Sequence, residues 1–420
     1  MTVQAETSVE ETNETRARRE VETVNRECGP NPVRIGILTP LSPVGDATAG
    51  ELETRGACIG AEYIREHGGI LGGRNVELVL VNDLEGADDN TMAESATRGL
   101  KWLNEQGVIA ILGQWHLRTS VAVAPMTEEL GLPMFIENGD SDATRRRRTV
   151  FRTYFTVANR VPVMLDCLAN LGLRRIAILA VDTVFAGSVA NEVERYGREA
   201  HDMELLRFDF PQKTVTDIRP QLEQVREWAP DAIVNDGIIR TNYMFLRQAA
   251  ELGLRPSVPM IVPFGFPMRS VDFWRFAGPA GIGLLWVATQ YRPSWEGLTD
   301  IGRWCIDRYM ERYNDFPPDT ILNSFTDVTL IAQALDVAGV EDRDALIDAL
   351  ESREWMTWRG PVRFERGEEF WHHDVPELVI WQYQEVGQKF DDAAIVYPPE
   401  RRTRPYKSPA ELSDETDAIA

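Results

Sequence analysis

Two α/β lobes, each a doubly wound parallel sheet, are the architecture that this sequence predicts. Three observations carry the prediction. Short apolar runs alternate with segments of helical period, the pattern of βαβ units. The alternation comes in two series, each on the scale of one domain, within 420 residues. Polar and aromatic side chains also crowd residues 113–125, GQWHLRTSVAVAP, between the apolar run 108–112 and the helical stretch 122–130. In an open parallel sheet the crevice at the carboxyl ends of the strands is where ligands bind. A helix start there presents free N–H groups and a partial positive charge, which suit a carboxylate, an amide oxygen or another electron-rich group.

The elements follow from spacing. Residues 1–32 are polar with mixed charge and are expected to be a disordered or loosely helical tail. The first series runs strand 33–38, helix 56–66, strand 76–81, helix 90–105, strand 108–112, helix 122–130 and strand 133–136. The second runs strand 175–181, helix 188–201, strand 205–210, helix 218–228, strand 232–234, helix 242–252 and strand 260–262. After the apolar run 283–286 the pattern changes. Long helices are expected over 299–313 and 321–338, a shorter one over 344–350, and strands at 362–364 and 378–381. The last 20 residues are polar and expected to be peripheral.

Composition bounds the function. With 43% hydrophobic residues the chain can build a substantial core. A formal net charge of -22 opposes nucleic acid, whose affinity rests on Lys and Arg neutralising phosphates, and opposes anionic membrane surfaces. No apolar run is long enough to span a bilayer. The charged start has no apolar h-region and is not a secretory signal. The expected location is extracytoplasmic if a signal was removed and cytoplasmic if Met1 is native. Cys28, Cys58, Cys167 and Cys305 are far apart with no CxxC pair, so four free, mostly buried thiols are expected. The run Arg145-Arg146-Arg147-Arg148 is expected to face acidic neighbours in a solvated loop. His372 and His373, adjacent in a strand, would point to opposite faces, so a shared metal is not expected. The glycines of GGILGG follow a helix and precede a strand, the reverse of a dinucleotide fingerprint. No nucleophile elbow, phosphate loop or HExxH is present, and neither a cofactor nor catalysis is expected.

The order and punctuation of these elements resemble the type I periplasmic-binding-protein family, more narrowly the branched-chain amino-acid, urea and short-amide receptors of ABC transporters. The matching segments are VRIGILTPLS at the first strand, GGILGGRNVELVLVND ending at Asp83, GLPMFIENG at 131–139 and FRTYFT at 151–156. LGLRRIAILAVDTVFAGS opens the second series, and FLRQAAELGL at 245–254 with WRGPVRFERGEE at 358–369 completes the set. The resemblance implies lobe one over 33–155 and 289–362 and lobe two over 156–288 and 363–395. Three crossovers near Tyr154, Tyr291 and Val362 would form the hinge, with 396–420 a polar extension. It implies a small-molecule ligand, closure of the lobes around it, and ABC-transporter membrane subunits as partners. A cytoplasmic sensor of the amide-responsive type is the alternative role, and an α/β enzyme a more distant one.

In the resemblance, residues 113–125 are the first lobe's pocket loop. Trp115 matches the aromatic placed under the ligand, and Thr119 and Ser120 match hydroxyls near the helix start, where they could equally be caps. Leu117 stands where a ligand-binding Ser is common. Arg118, beside His116, could grip a carboxylate with two hydrogen bonds or be a solvated loop residue. Asn138, Gly139 and Asp140, with Ser141, form the next strand-end loop. In the second lobe Phe264 stands where amino-acid receptors carry an acid for the ligand ammonium, and Phe185 where they carry a tyrosine. Asp236 could replace the missing acid. A neutral or acidic ligand with some apolar or aromatic surface is therefore expected, because burying an unpaired ammonium is costly.

Overall fold

The computed structural model describes residues 11–137, 142–270 and 272–412. It divides into two compact units. Unit 1 comprises residues up to Tyr154 and Gly297–Val375; unit 2 comprises Phe155–Glu296 and the chain from Pro376. The chain therefore passes from unit to unit three times. Unit 1 opens with α1 (Asn13–Asn25), β1 (Val33–Thr39), α2 (Ala47–Glu66), β2 (Val76–Asn82) and α3 (Met92–Glu105). It continues with β3 (Ala110–Gly113), α4 (Leu117–Leu130), β4 (Met134–Ile136) and β5 (Val150–Phe151). Unit 2 holds α5 (Val157–Asn170), β6 (Arg175–Val181), α6 (Val184–His201), β7 (Glu204–Phe210) and α7 (Arg219–Trp228). Then come β8 (Ala232–Asp236), α8 (Arg240–Glu251), β9 (Met260–Val262), α9 (Phe273–Ala277) and β10 (Leu285–Thr289). Back in unit 1 are α10 (Asp300–Tyr313), α11 (Asp319–Ala338), α12 (Arg343–Ser352) and the hairpin β11 (Glu354–Thr357) and β12 (Gly360–Arg363). β13 (Leu378–Gln382) and β14 (Ala394–Tyr397) return to unit 2.

Unit 1 is a five-stranded parallel sheet in the order β2-β1-β3-β4-β5. Parallel strands covered on both faces are apolar throughout, and β3 and β4 are buried at every position. One face packs Val33, Ile35 and Ile37 against Ala57, Ala61, Leu330 and Ile331 of α2 and α11. The other packs Leu38 and Ile111 against Leu100, Leu103 and Val123 of α3 and α4. The two helices of the first face cross closely because Gly56 and Gly60 lack side chains. A Cβ on Gly56 would fall 2.4 Å from the Ile321 carbonyl oxygen, and one on Gly60 2.9 Å from Val328 Cβ. Unit 2 has a seven-stranded sheet, β14-β13-β10-β9-β8-β6-β7, parallel except for β13 and β14. Trp286 and Trp381 stack within it with ring centres 6.3 Å apart, each wholly buried and contributing about 3 kcal/mol.

Several boundaries differ from those expected. Residues 13–25 are a helix, with Ala17, Val21 and Val24 buried on one stripe. Arg16 pairs with Glu51 and Glu20 with Arg55 across to α2. Asn25 bonds both ways to the Leu78 backbone on the edge strand β2, satisfying groups that an open sheet edge would expose. The opposite edge is covered by residues 369–374: Arg152 N–H donates to the His372 carbonyl and Asp374 N–H to that of Arg152. Residues 363–375 accordingly stay with unit 1, and 289–296 with unit 2. Past Pro398 the chain is also held, since Gln382 exchanges two hydrogen bonds with the Lys407 backbone and Leu412 is buried. α4 begins five residues before the expected start, which places Arg118, Thr119 and Ser120 in its first turn. α5, unread in the sequence, carries Pro162 inside it.

The four cysteines, and Arg145 and Arg148 of the arginine run, are placed as expected. All four cysteines are free, with Cys58, Cys167 and Cys305 buried. Arg145 pairs with Asp142 and Glu369, and Arg148 with Asp344 and Asp348. His372 and His373 do not lie in a strand as expected, since His372 has φ +51°; His372 stacks on Phe151 and bonds Glu351, whereas His373 donates to the Tyr154 carbonyl. Among the described residues no group of three His, Cys, Asp or Glu side chains could hold a metal, and no helix is long and apolar enough to cross a membrane.

Candidate functional site

Because each sheet is parallel, the carboxyl ends of its strands lie along one edge, and each unit has its own strand-end face. In unit 1, β1 to β4 end at Thr39, Asn82, Gly113 and Ile136. Asn82 ties the neighbouring loops: its Oδ1 accepts from the Leu41 and Leu84 amides and its Nδ2 donates to Ser42 Oγ. Gln114 has a left-handed backbone with φ +68°. Its Nε2 donates to Asp83 Oδ2 at 3.2 Å. Burial pushes the Asp83 carboxyl up to about 7, against the hydrogen bonds from Gln114 and Thr119.

Trp115 follows, half-buried, on the residue before the α4 N-cap His116. The His116 ring ties α4 to the start of α2: Nε2 accepts from the Asp46 amide at 3.1 Å, so the ring proton sits on Nδ1. Burial holds its pKa below the ordinary value. Gly45 makes room, since a Cβ there would fall 2.6 Å from Nε2. The hydroxyls of Thr119 and Ser120 donate to the carbonyls of His116 and Leu117 three residues back, the local bonding that such residues favour near helix starts. Arg118 is exposed and its guanidinium donates to the Asp89 carbonyl. The segment 115–120 thus brings Trp115, His116, Thr119 and Ser120 to the strand ends, while Arg118 engages a neighbouring loop. Asn138, Gly139 and Asp140, with Ser141, lie outside the described residues.

Beneath this face lies a group of acids not anticipated from the sequence. Glu53 of α2 accepts from the Thr39 hydroxyl, and Glu137, directly after β4, accepts from Ser324 Oγ at 3.0 Å. Asp327 of α11 completes the group. All three are buried. Burial pushes Glu53 up to about 8, reinforced by Asp83, Asp327 and Asp46. It also raises Glu137 and Asp327 well above the carboxylate range. Burial thus favours the protonated, hydrogen-bonding form of each over the anion.

Unit 2 presents a different face. Phe185 in the first turn of α6 and Phe264 two residues past β9 are half-buried, with ring centres 5.9 Å apart. Asp236, the last residue of β8, is fully buried, and neither carboxyl oxygen has a hydrogen-bond partner among the described residues. Burial raises its pKa well above the ordinary value, with Arg160 and Arg207 opposing. Asn242 in α8 is equally buried, with its amide oxygen and nitrogen both unpartnered among those residues. Arg160 was missed from the sequence. Its guanidinium lies 4.5 Å from the Phe155 ring centre and 5.1 Å from that of Phe185, and Nη1 donates to the Pro263 carbonyl at 2.9 Å. The one available signal was an arginine three residues into a segment that follows FRTYFT, and its helix was hidden by Pro162.

The chain belongs to the periplasmic binding protein family, whose model matches residues 32–383. A Leu/Ile/Val-binding protein homolog of Brucella abortus is 25% identical over 347 residues, 76% of this chain and 80% of its own length. A leucine binding protein, LivK, of Thermotoga maritima superposes with a TM-score of 0.71 at 22% identity, covering 88% of this chain and 99% of its own. A solute binding protein of an ABC transporter from Rhodopseudomonas palustris, solved with 3,4-dihydroxy benzoic acid, has a TM-score of 0.70 at 20% identity. That match covers 90% of this chain and 99% of the other. The fold is the type I periplasmic-binding-protein fold, and the relatives represent the branched-chain amino-acid group of ABC substrate-binding proteins.

Proposed function

We propose that this chain is the solute receptor of an ABC importer, working outside the cytoplasm and handing its ligand to membrane subunits without chemical change. The ligand is a small molecule with an electron-rich polar end, an amide or a carboxylic acid, and an apolar or aromatic body. The observation that carries this reading is that each unit bears half-buried aromatic side chains at its own strand-end face, Trp115 in unit 1 and Phe185 with Phe264 in unit 2, beside buried hydrogen-bonding groups. Binding sites of this kind are mostly apolar with a few placed polar groups. A free branched-chain amino acid fits less well: Phe264 offers no charge to an ammonium, and burial disfavours the charged form of Asp236. The aromatic acid in the Rhodopseudomonas neighbour supports the same direction.

The ligand engages the 115–120 segment first, and unit 2 then contributes Phe185, Asp236 and Phe264. Closure follows because the ligand binds the closed state better. Native mass spectrometry of protein purified without refolding should show a retained small amide or acid. That molecule should raise the melting temperature and reduce the radius of gyration in solution scattering. Stabilisation by leucine, isoleucine or valine alone overturns the ligand reading, and identical scattering curves at saturating ligand overturn closure.

A further inference from the structure

We propose that Asp83 is the positioning residue for Trp115: its buried carboxyl holds the turn at 113–116 that carries the indole, and so sets how well unit 1 takes an aromatic ligand. This rests on the receptor reading above, in which Trp115 meets the ligand, and adds the group that aims it. Asp83 directly follows β2, and its amide donates to the Thr39 carbonyl at 3.0 Å, so the carboxyl stands on the end of the sheet rather than on a free loop. Its Oδ2 accepts from Gln114 Nε2 at 3.2 Å. Thr119, in the first turn of α4, supplies a second side-chain hydrogen bond. All three residues are 0% exposed, so water does not compete for these bonds.

The turn needs such a hold. Gly113 and Gln114 both have positive φ, +119° and +68°. Glycine serves at 113, where a Cβ would fall 2.4 Å from the Leu38 carbonyl oxygen. Gln114 has no such freedom, because the left-handed region is costly for a residue with a Cβ. It is kept there by its amide, which donates to the Leu38 carbonyl at 2.9 Å, and by its side chain on Asp83. On the other side of Trp115 the His116 ring accepts from the Asp46 amide. Trp115 is thus fixed through both its neighbours, while its own ring takes no part in the hold. Either protonation state of Asp83 leaves an oxygen to accept from Gln114, so the hold does not depend on the charge. Asn82, one residue earlier, directs its side-chain amide to Leu41, Leu84, Ser42 and Glu14 instead.

Fluorine NMR of the full chain grown with 5-fluorotryptophan tests this without a ligand. Among the 11 tryptophans, the Trp115 resonance is the one lost in Trp115→Phe. Asp83→Leu, which removes the acceptors at similar size, should shift or broaden that resonance while the others stay near the parent. Asp83→Asn, which keeps a carbonyl oxygen for Gln114, should leave it in place, a rescue that a simple loss of packing would not show. Calorimetry with benzamide and benzoate gives a second readout. Asp83→Leu should weaken whichever probe the parent binds by about tenfold. That loss should vanish in the Trp115→Ala background, where no indole is left to aim, whereas a merely structural carboxyl would cost the same in both backgrounds. Should Asp83→Leu fail to fold, Gln114→Gly decides, because it removes the side-chain bond and tolerates the positive φ; it should move the same resonance. A Trp115 resonance unmoved in Asp83→Leu and Gln114→Gly, or a loss of affinity equal in the two backgrounds, overturns the inference and leaves the receptor reading standing. If the parent binds neither probe, the aromatic form of the receptor reading fails, and the resonance alone decides the positioning.

Discussion

The strand-end faces of the two units share a plan and differ in charge. In unit 1 the buried ionisable groups include four carboxyls, Glu53, Asp83, Glu137 and Asp327, several of which raise one another's pKa, together with Arg152 directly after β5. Among the described residues of unit 2 one acid is buried, Asp236, and it lies near a buried guanidinium stacked between phenyl rings. Parallel sheets place the loops alike in both units, and helices supply three of the side chains that set the sign. Glu53 comes from α2, Asp327 from α11 and Arg160 from α5. The charge at a strand-end face is therefore set jointly by the residues that end the strands and by those that the flanking helices bring to it.

The largest effect expected from this contrast is on stability. A carboxyl whose pKa is raised by folding holds a proton that the unfolded chain releases. Its contribution is complete below the ordinary carboxylate value and is lost as pH rises through the folded value. For Glu53 that window runs from about 4.5 to about 8. Glu53→Gln removes the penalty and should stabilise the protein by about 1–3 kcal/mol at pH 8. The fall of the melting temperature between pH 5 and pH 8 should flatten with it. Asp236→Asn should likewise stabilise the protein at pH 8, with Arg160 and Arg207 opposing part of the gain. Scanning calorimetry across that range checks both, and parallel pH slopes for the parent and Glu53→Gln would remove the distinction drawn between the faces.

A smaller effect is expected on binding. Trp115 is half-buried, with no ring contact or hydrogen bond among the described residues, so its indole is open to a ligand. Trp115→Ala should weaken the molecule identified by mass spectrometry by about 1–3 kcal/mol while leaving the melting temperature nearly unchanged. Equal affinity in calorimetry would assign recognition to unit 2 alone. The smallest effect belongs to Arg118. Exposed and bonded to the Asp89 carbonyl, it should tolerate Arg118→Ala within about 0.5 kcal/mol in both stability and affinity. A tenfold loss of affinity would instead make unit 1 an anion-binding face and blur the contrast with Arg160.

Much of this was legible before the structure, and the limit is physical. The strands were readable because a buried parallel strand must be apolar along its length, and runs such as 175–181 obey that rule locally. The positions of Trp115 and Asp236 at strand ends followed from the alternation, whereas Phe185 and Phe264 were singled out only through the family resemblance. The helix over 13–25 was not readable, because three apolar residues among many charges bury nothing until Glu51 and Arg55 of α2 supply ion-pair partners. The covering of β5 by residues 369–374 likewise joins segments more than 200 positions apart. The acid group beneath unit 1 and the arginine beneath unit 2 were hidden for the same reason. A lone Glu or Arg in a helix looks like any solvated residue, since the sequence states its charge but not its burial. Periodicity determined where the strands end and which residues follow them. Only tertiary packing, by withdrawing Glu53, Asp327 and Arg160 from water, decided the charge that each strand-end face carries.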